Sequence, residues 1–299
     1  MKEKQLRVYL IWAFAIAWLV QGVAAWLFWQ GQVAAYQLTL MVSMFAPFVA
    51  VLLAGIPLRG MGWKPQLRGR WKWLFAAWFG PAILGVLGAG LYYALLPNRL
   101  DTTGAYLTAQ LGEAGLAQLE AAGMTVPIYM LIQTVTALTW APFVNMFAAL
   151  GEEVGWRGVL YPRLKQRFGV SCGRVIGGVI WGSWHWPIMI LTGYEYGLSY
   201  LGAPVLGMLL FCLFAVSAGT LIDFLYEKSE CIWIPSLTHG AINAFAGVPL
   251  LVLAPGYADR MTIGPAMIGV VGGLPLLILA AILLLRDGRN ECRRESHRS

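Results

Sequence analysis

The chain has 299 residues, of which 59% are hydrophobic and 12% charged, and it carries a net charge of +7. Apolar stretches of about 20 residues recur along it, which excludes a soluble globular domain and points to helices that cross a bilayer. The positive charge is topological: nineteen of the 21 Lys and Arg residues fall in the termini and alternate connections, against Arg99 and Arg260 in the others. This is the positive-inside pattern with both termini cytoplasmic, and it excludes a nucleic-acid partner.

The fold expected is therefore all-α, a polytopic helical membrane protein of the cell membrane with about eight transmembrane helices. The spans lie near residues 8–30, 35–57, 71–96, 126–150, 174–192, 200–225, 231–254 and 264–285. Residues 1–285 read as a single helical domain. Residues 286–299, with alternating basic and acidic side chains, read as a disordered cytoplasmic tail. The first run follows basic residues and contains Gly22-Val23-Ala24-Ala25, as a signal peptide would, but it is too long and continues past them.

Trp63, Trp71 and Trp73 in the basic connection after the second span suit anchoring at the headgroup level. Between Asn98 and Met124, Leu107, Leu111 and Leu119 share one helical arc that Leu116 interrupts, so the segment is either a short interfacial helix or a surface loop. Cys172, Cys231 and Cys292 lie near predicted cytoplasmic ends and Cys212 lies inside a span. They show neither metal spacing nor a disulfide framework.

The fourth span ends in Gly151-Glu152-Glu153-Val154-Gly155-Trp156-Arg157-Gly158. A charge at full bilayer depth costs roughly 2.5–3.5 kcal/mol, so two carboxylates here need a wet cavity, partners or a task. On a continuous helix Glu153 and Arg157 are four apart and pair, while Glu152, about 100° round, is left free. The fifth span places Gly173, Gly177, Gly178 and Gly182 at spacings that let helices approach closely, which makes it central. It also carries Trp181 and His185 on one face, with Pro187 bending or ending the helix just beyond. The seventh span carries His239 and Asn243 on one face. Asp223, near the end of the sixth span, reads as structural or interfacial. Of the three histidines, His297 lies in the tail and the other two fall inside apolar spans. Convergence of spans four, five and seven is the economical expectation.

A carboxylate and a histidine in one cavity can deprotonate a water, and a second histidine with an asparagine can donate to a carbonyl oxygen as it becomes negative. This is amide hydrolysis without a Ser or Cys nucleophile.

Glu152-Glu153 with Arg157, then Trp181 with His185, then His239 with Asn243, resemble the three ordered signatures of the CPBP intramembrane proteases, a family that includes type II CAAX prenyl endopeptidases and the Abi proteins. The resemblance covers about residues 126–250, and Trp181 stands where many members have Phe. It implies that Glu152 and His185 activate the attacking water, that His239 and Asn243 form the oxyanion hole, and that Glu153, Arg157 and Trp181 support them.

Glu152, His185 and His239 would also make a chemically sensible zinc set, but the H-E-x-x-H spacing is absent and Asn243 suits hydrogen bonding. The mechanism expected is cofactor-free, with zinc as the alternative. The site is expected to open toward the cytoplasm. The partners expected are the lipid bilayer and a membrane-tethered peptide or protein. Competing functions are a non-catalytic scaffold or bacteriocin-immunity protein, and an ion- or proton-coupled transporter using the same buried groups. The sequence leaves the oligomeric state open.

Overall fold

The computed structural model describes residues 3–65 and 68–296, without the side chains of 292–296. The described residues form thirteen α-helices: α1 (Glu3–Trp29), α2 (Val33–Ser43), α3 (Ala46–Leu53), α4 (Trp71–Leu95), α5 (Ala105–Ala121), α6 (Val126–Leu138), α7 (Ala141–Gly155), α8 (Tyr161–Phe168), α9 (Val170–Trp184), α10 (Trp186–Thr192), α11 (Val205–Ser229), α12 (Trp233–Phe245) and α13 (Leu274–Ser296). No strand is present among them, and the one bridge pairs Leu100 with Leu253. The protein is an all-α, multi-pass membrane protein.

The number of spans is smaller than the sequence suggests. Five helical segments are long and apolar enough to cross a bilayer, or six if α5 and α6, bent by 90°, count as one. Pro142, in the first turn of α7, interrupts the fourth expected run, whereas Pro47 and Pro187, in the first turns of α3 and α10, lie within segments that are still long and apolar enough to cross. A proline there has no N–H to donate and its ring clashes with the preceding turn, so it starts a helix and ends the one before. The expected seventh span shortens to the 13 residues of α12 and then tightens into a 3₁₀ turn at Val248–Val252.

Two further expectations change. Residues 105–121 are helical, with a kink at Gly112 where φ is +61°. Residues 286–296 continue α13 instead of forming a disordered tail, because their acids have partners: Asp287 pairs with Arg174, and Glu291 accepts from the Val170 N–H. His297 lies outside the described residues.

Close backbone approaches set the bundle. A Cβ on Gly178 would lie 2.4 Å from the Val216 Cα, so α9 packs directly on α11. A Cβ on Gly240 would lie 2.5 Å from the Pro142 carbonyl oxygen and 2.6 Å from the Met146 nitrogen, so α12 packs directly on α7. Trp181 on α9 bonds Glu152 on α7 and its ring lies against His239 on α12, which brings the three helices around one another. At the end carrying the basic segments, Asp223 is fully buried between Lys165 (2.8 Å) and Arg174 (2.7 Å), tying α8, α9 and α11 together. Its structural reading holds.

Candidate active site

The paired carboxylates close α7. Glu153 Oε1 accepts from Arg157 Nη1 at 2.9 Å, as the four-residue spacing predicts, and also from His239 Nδ1 at 2.8 Å. Glu152 is not left free: its Oε2 accepts from the indole N–H groups of Trp156 at 3.0 Å and Trp181 at 2.7 Å. Its Oε1 has no partner among the described residues. Both carboxylates and Arg157 are buried.

The backbone changes character at this point. Residues Trp156–Leu160 form a π-helical turn between α7 and α8. Such turns widen a helix and recur at functional sites. Here the turn carries both Trp156, which holds Glu152, and Arg157, which holds Glu153. The Arg157 guanidinium lies between two rings, 4.7 Å from the centroid of Trp181 and 4.6 Å from that of Tyr161. The arginine is placed by aromatic faces as well as by its carboxylate.

His185 stands at the junction of α9 and α10. Its own N–H bonds to the Gly182 carbonyl, so the Trp181 carbonyl loses its normal helical donor and takes the His185 ring Nδ1 at 3.0 Å instead. A ring whose Nδ1–H donates to a carbonyl presents Nε2 as an acceptor. His239 is turned the same way, with Nδ1 on Glu153, and its ring lies 5.2 Å from that of Trp181. Asn243, one turn beyond on α12, is exposed and its amide has no partner among the described residues.

His185, His239, Asn243 and Trp181 line a cavity of about 430 Å³. Glu152 is not in its wall; Trp181 is, and it bonds Glu152. A second cavity of about 750 Å³ shares His185 and Asn243 with the first and extends past Gln21 and Met41. The two lobes meet at His185, Tyr194, Glu195 and Asn243. The first lobe runs to Tyr106, Ala258 and Met261, at the end of the bundle opposite the basic segments.

The sequence reading missed Trp156, although its i, i+4 spacing from Glu152 is the signal that would have found it. It also missed Tyr194 and Glu195, which line both lobes. The Tyr194 ring stacks parallel to His185 with centroids 6.4 Å apart. Burial pushes the Glu195 carboxyl above its usual range, opposed by a hydrogen bond from Tyr194. Among the described residues no group of three His, Cys, Asp or Glu side chains converges as a metal set.

The family model for type II CAAX prenyl endopeptidase Rce1-like proteins matches residues 134–245, which run from α6 to the end of α12 and hold every candidate site residue. This core is similar to that family. The chain is also similar to a protein named CAAX prenyl protease 2 from Methanococcus maripaludis, with 27% identity over 102 residues. That match spans 34% of this chain and 37% of the relative.

Proposed function

We propose that the protein is an intramembrane endopeptidase that hydrolyses a peptide bond of a membrane-associated protein or peptide. One observation carries this reading: His185 and Asn243 stand where two cavity lobes meet, so an extended peptide laid from lobe to lobe has its backbone over both. At about 3.3–3.6 Å per residue, a short stretch of extended chain reaches across.

In this reading Glu152 and the bare Nε2 of His185 take a proton from a water whose oxygen attacks the scissile carbonyl carbon. Asn243 and His239 donate to the carbonyl oxygen as it turns into an oxyanion, and Glu153 supports the charge His239 carries when doubly protonated. The proton then passes to the amide nitrogen, the C–N bond breaks, and a carboxyl and an amine are released. Trp156 and Trp181 orient Glu152, and Arg157 balances Glu153. The reading needs no metal.

The test is cleavage of lipid-anchored peptides by the purified protein in detergent, with Glu152→Gln, His185→Ala and Asn243→Ala variants, with and without a strong chelator. Loss of about 10²-fold or more in the first two variants, with no chelator effect, is expected. Chelator-sensitive cleavage restored by zinc would replace the cofactor-free mechanism. Unchanged cleavage in Glu152→Gln would overturn the assignment of roles.

A further inference from the structure

Glu195 lies in the turn that follows α10, outside all three sequence signatures. The turn is tightly built. Gly193, Glu195 and Gly197 all have φ between +70° and +79°, and the Gly197 N–H returns to the Gly193 carbonyl at 2.6 Å. A Cβ on Gly193 would lie 2.5 Å from the Gly197 carbonyl carbon. Tyr196, buried, fastens the turn to the body of the protein by donating its hydroxyl to the Ile268 carbonyl at 2.8 Å. A left-handed backbone is unfavourable for a residue with a Cβ, so a glutamate held there by a fixed turn is placed by its surroundings.

The turn aims Glu195 into the two lobes at their junction, beside His185, Tyr194 and Asn243. Its carboxylate has no Arg or Lys partner among the described residues. The inward carboxylates at the opposite end, Asp223 and Asp287, both do. A carboxylate beside aromatic rings, facing a cavity and lacking a countercharge, is a receptor for a cation. We propose that Glu195 is a cation-recognising subsite, which takes an ammonium or guanidinium group of the bound peptide next to the residue held over His185 and Asn243. The proposal rests on the cleft holding a peptide, and it predicts substrates with a positive charge close to the cleavage point.

The chemistry has two sources, a basic side chain or a free α-amine, and the test separates them. Binding of acylated peptides to the detergent-solubilised full chain is measured in pairs, lysine against norleucine and arginine against citrulline, each with the α-amine free or acetylated. Wild type is expected to bind the charged member at least about tenfold tighter. A preference that survives acetylation assigns the subsite to the side chain; one seen only between free and acetylated amines assigns it to the α-amine. In Glu195→Gln the preference is expected to fall to within about twofold. Glu195→Asn, which tolerates the left-handed backbone, serves as the second variant. No charge preference in wild type, a preference that persists in both variants, or equal loss for charged and neutral peptides would each overturn the proposal. Binding is read separately from cleavage. Charge-selective binding without hydrolysis leaves the subsite standing and fails the protease reading, and hydrolysis without charge preference does the reverse.

Discussion

Two clusters of buried charge lie in this bundle, and they are built on different terms. In the cluster at the basic end, Lys165, Arg174 and Arg286 face Asp223, Glu227 and Asp287, and every carboxylate oxygen has a cationic partner. In the cluster at the α7 terminus, two carboxylates face one guanidinium. Glu152 is held only by neutral indole donors, and Glu153 Oε2, Arg157 Nε and Nη2, and the hydroxyls of Tyr9 and Tyr161 are buried without protein partners. A cluster that only ties helices together is satisfied, since each unpaired buried polar atom costs free energy. A cluster that must change its protonation state cannot be fully committed. On the proposed function, the contrast separates a fastening from a reaction centre.

Removing a cation from the satisfied cluster breaks the comparison most strongly. Arg174→Met leaves Asp223 and Glu227 short of partners, and a loss of about 3–5 kcal/mol is expected as a large drop in the melting temperature in detergent, with activity per folded molecule retained. Glu152→Gln is the mirror case, costing about 10²-fold or more in cleavage with no loss of stability. Glu153→Gln falls between, because it strips the charge that holds both Arg157 and His239, and lower stability and slower cleavage are expected together. Trp181→Phe keeps the ring beside His239 and Arg157 and removes one of two donors to Glu152. Cleavage within about tenfold of wild type is expected, since removal of one net hydrogen bond is worth about 0.5–1.5 kcal/mol. The smallest effect is expected for Arg167→Gln, which breaks an exposed pair to Glu3 at 3.3 Å. A thermal melt should register less than about 1 kcal/mol.

The helical membrane class and the convergence of Glu153, Arg157, Trp181 and His239 were legible from the sequence because helical spacing translates directly into shared faces. The glycines of α9 were legible for the same reason, as Gly178 shows against Val216. The span count was not, because a hydropathy window averages over Pro142 and over the non-helical flanks of α12 and α13, whereas the backbone breaks at single residues. Half of the indole clamp on Glu152 was legible in the i, i+4 spacing of Trp156, whereas the π-helical turn that begins there is announced by no hydrophobic period. The cavity itself was hidden because it depends on how loops far apart in sequence, around Glu195 and Met261, enclose the same space.

The most direct test measures thermal stability and peptide cleavage on the same preparation of the Glu152→Gln variant. If the unmatched charge at the α7 terminus exists for chemistry, cleavage is lost while the melting temperature is unchanged or higher, because an uncompensated buried carboxylate has been removed. Full cleavage, or a loss of cleavage that only follows a fall in melting temperature, would contradict that account and make Glu152 a structural residue like Asp223.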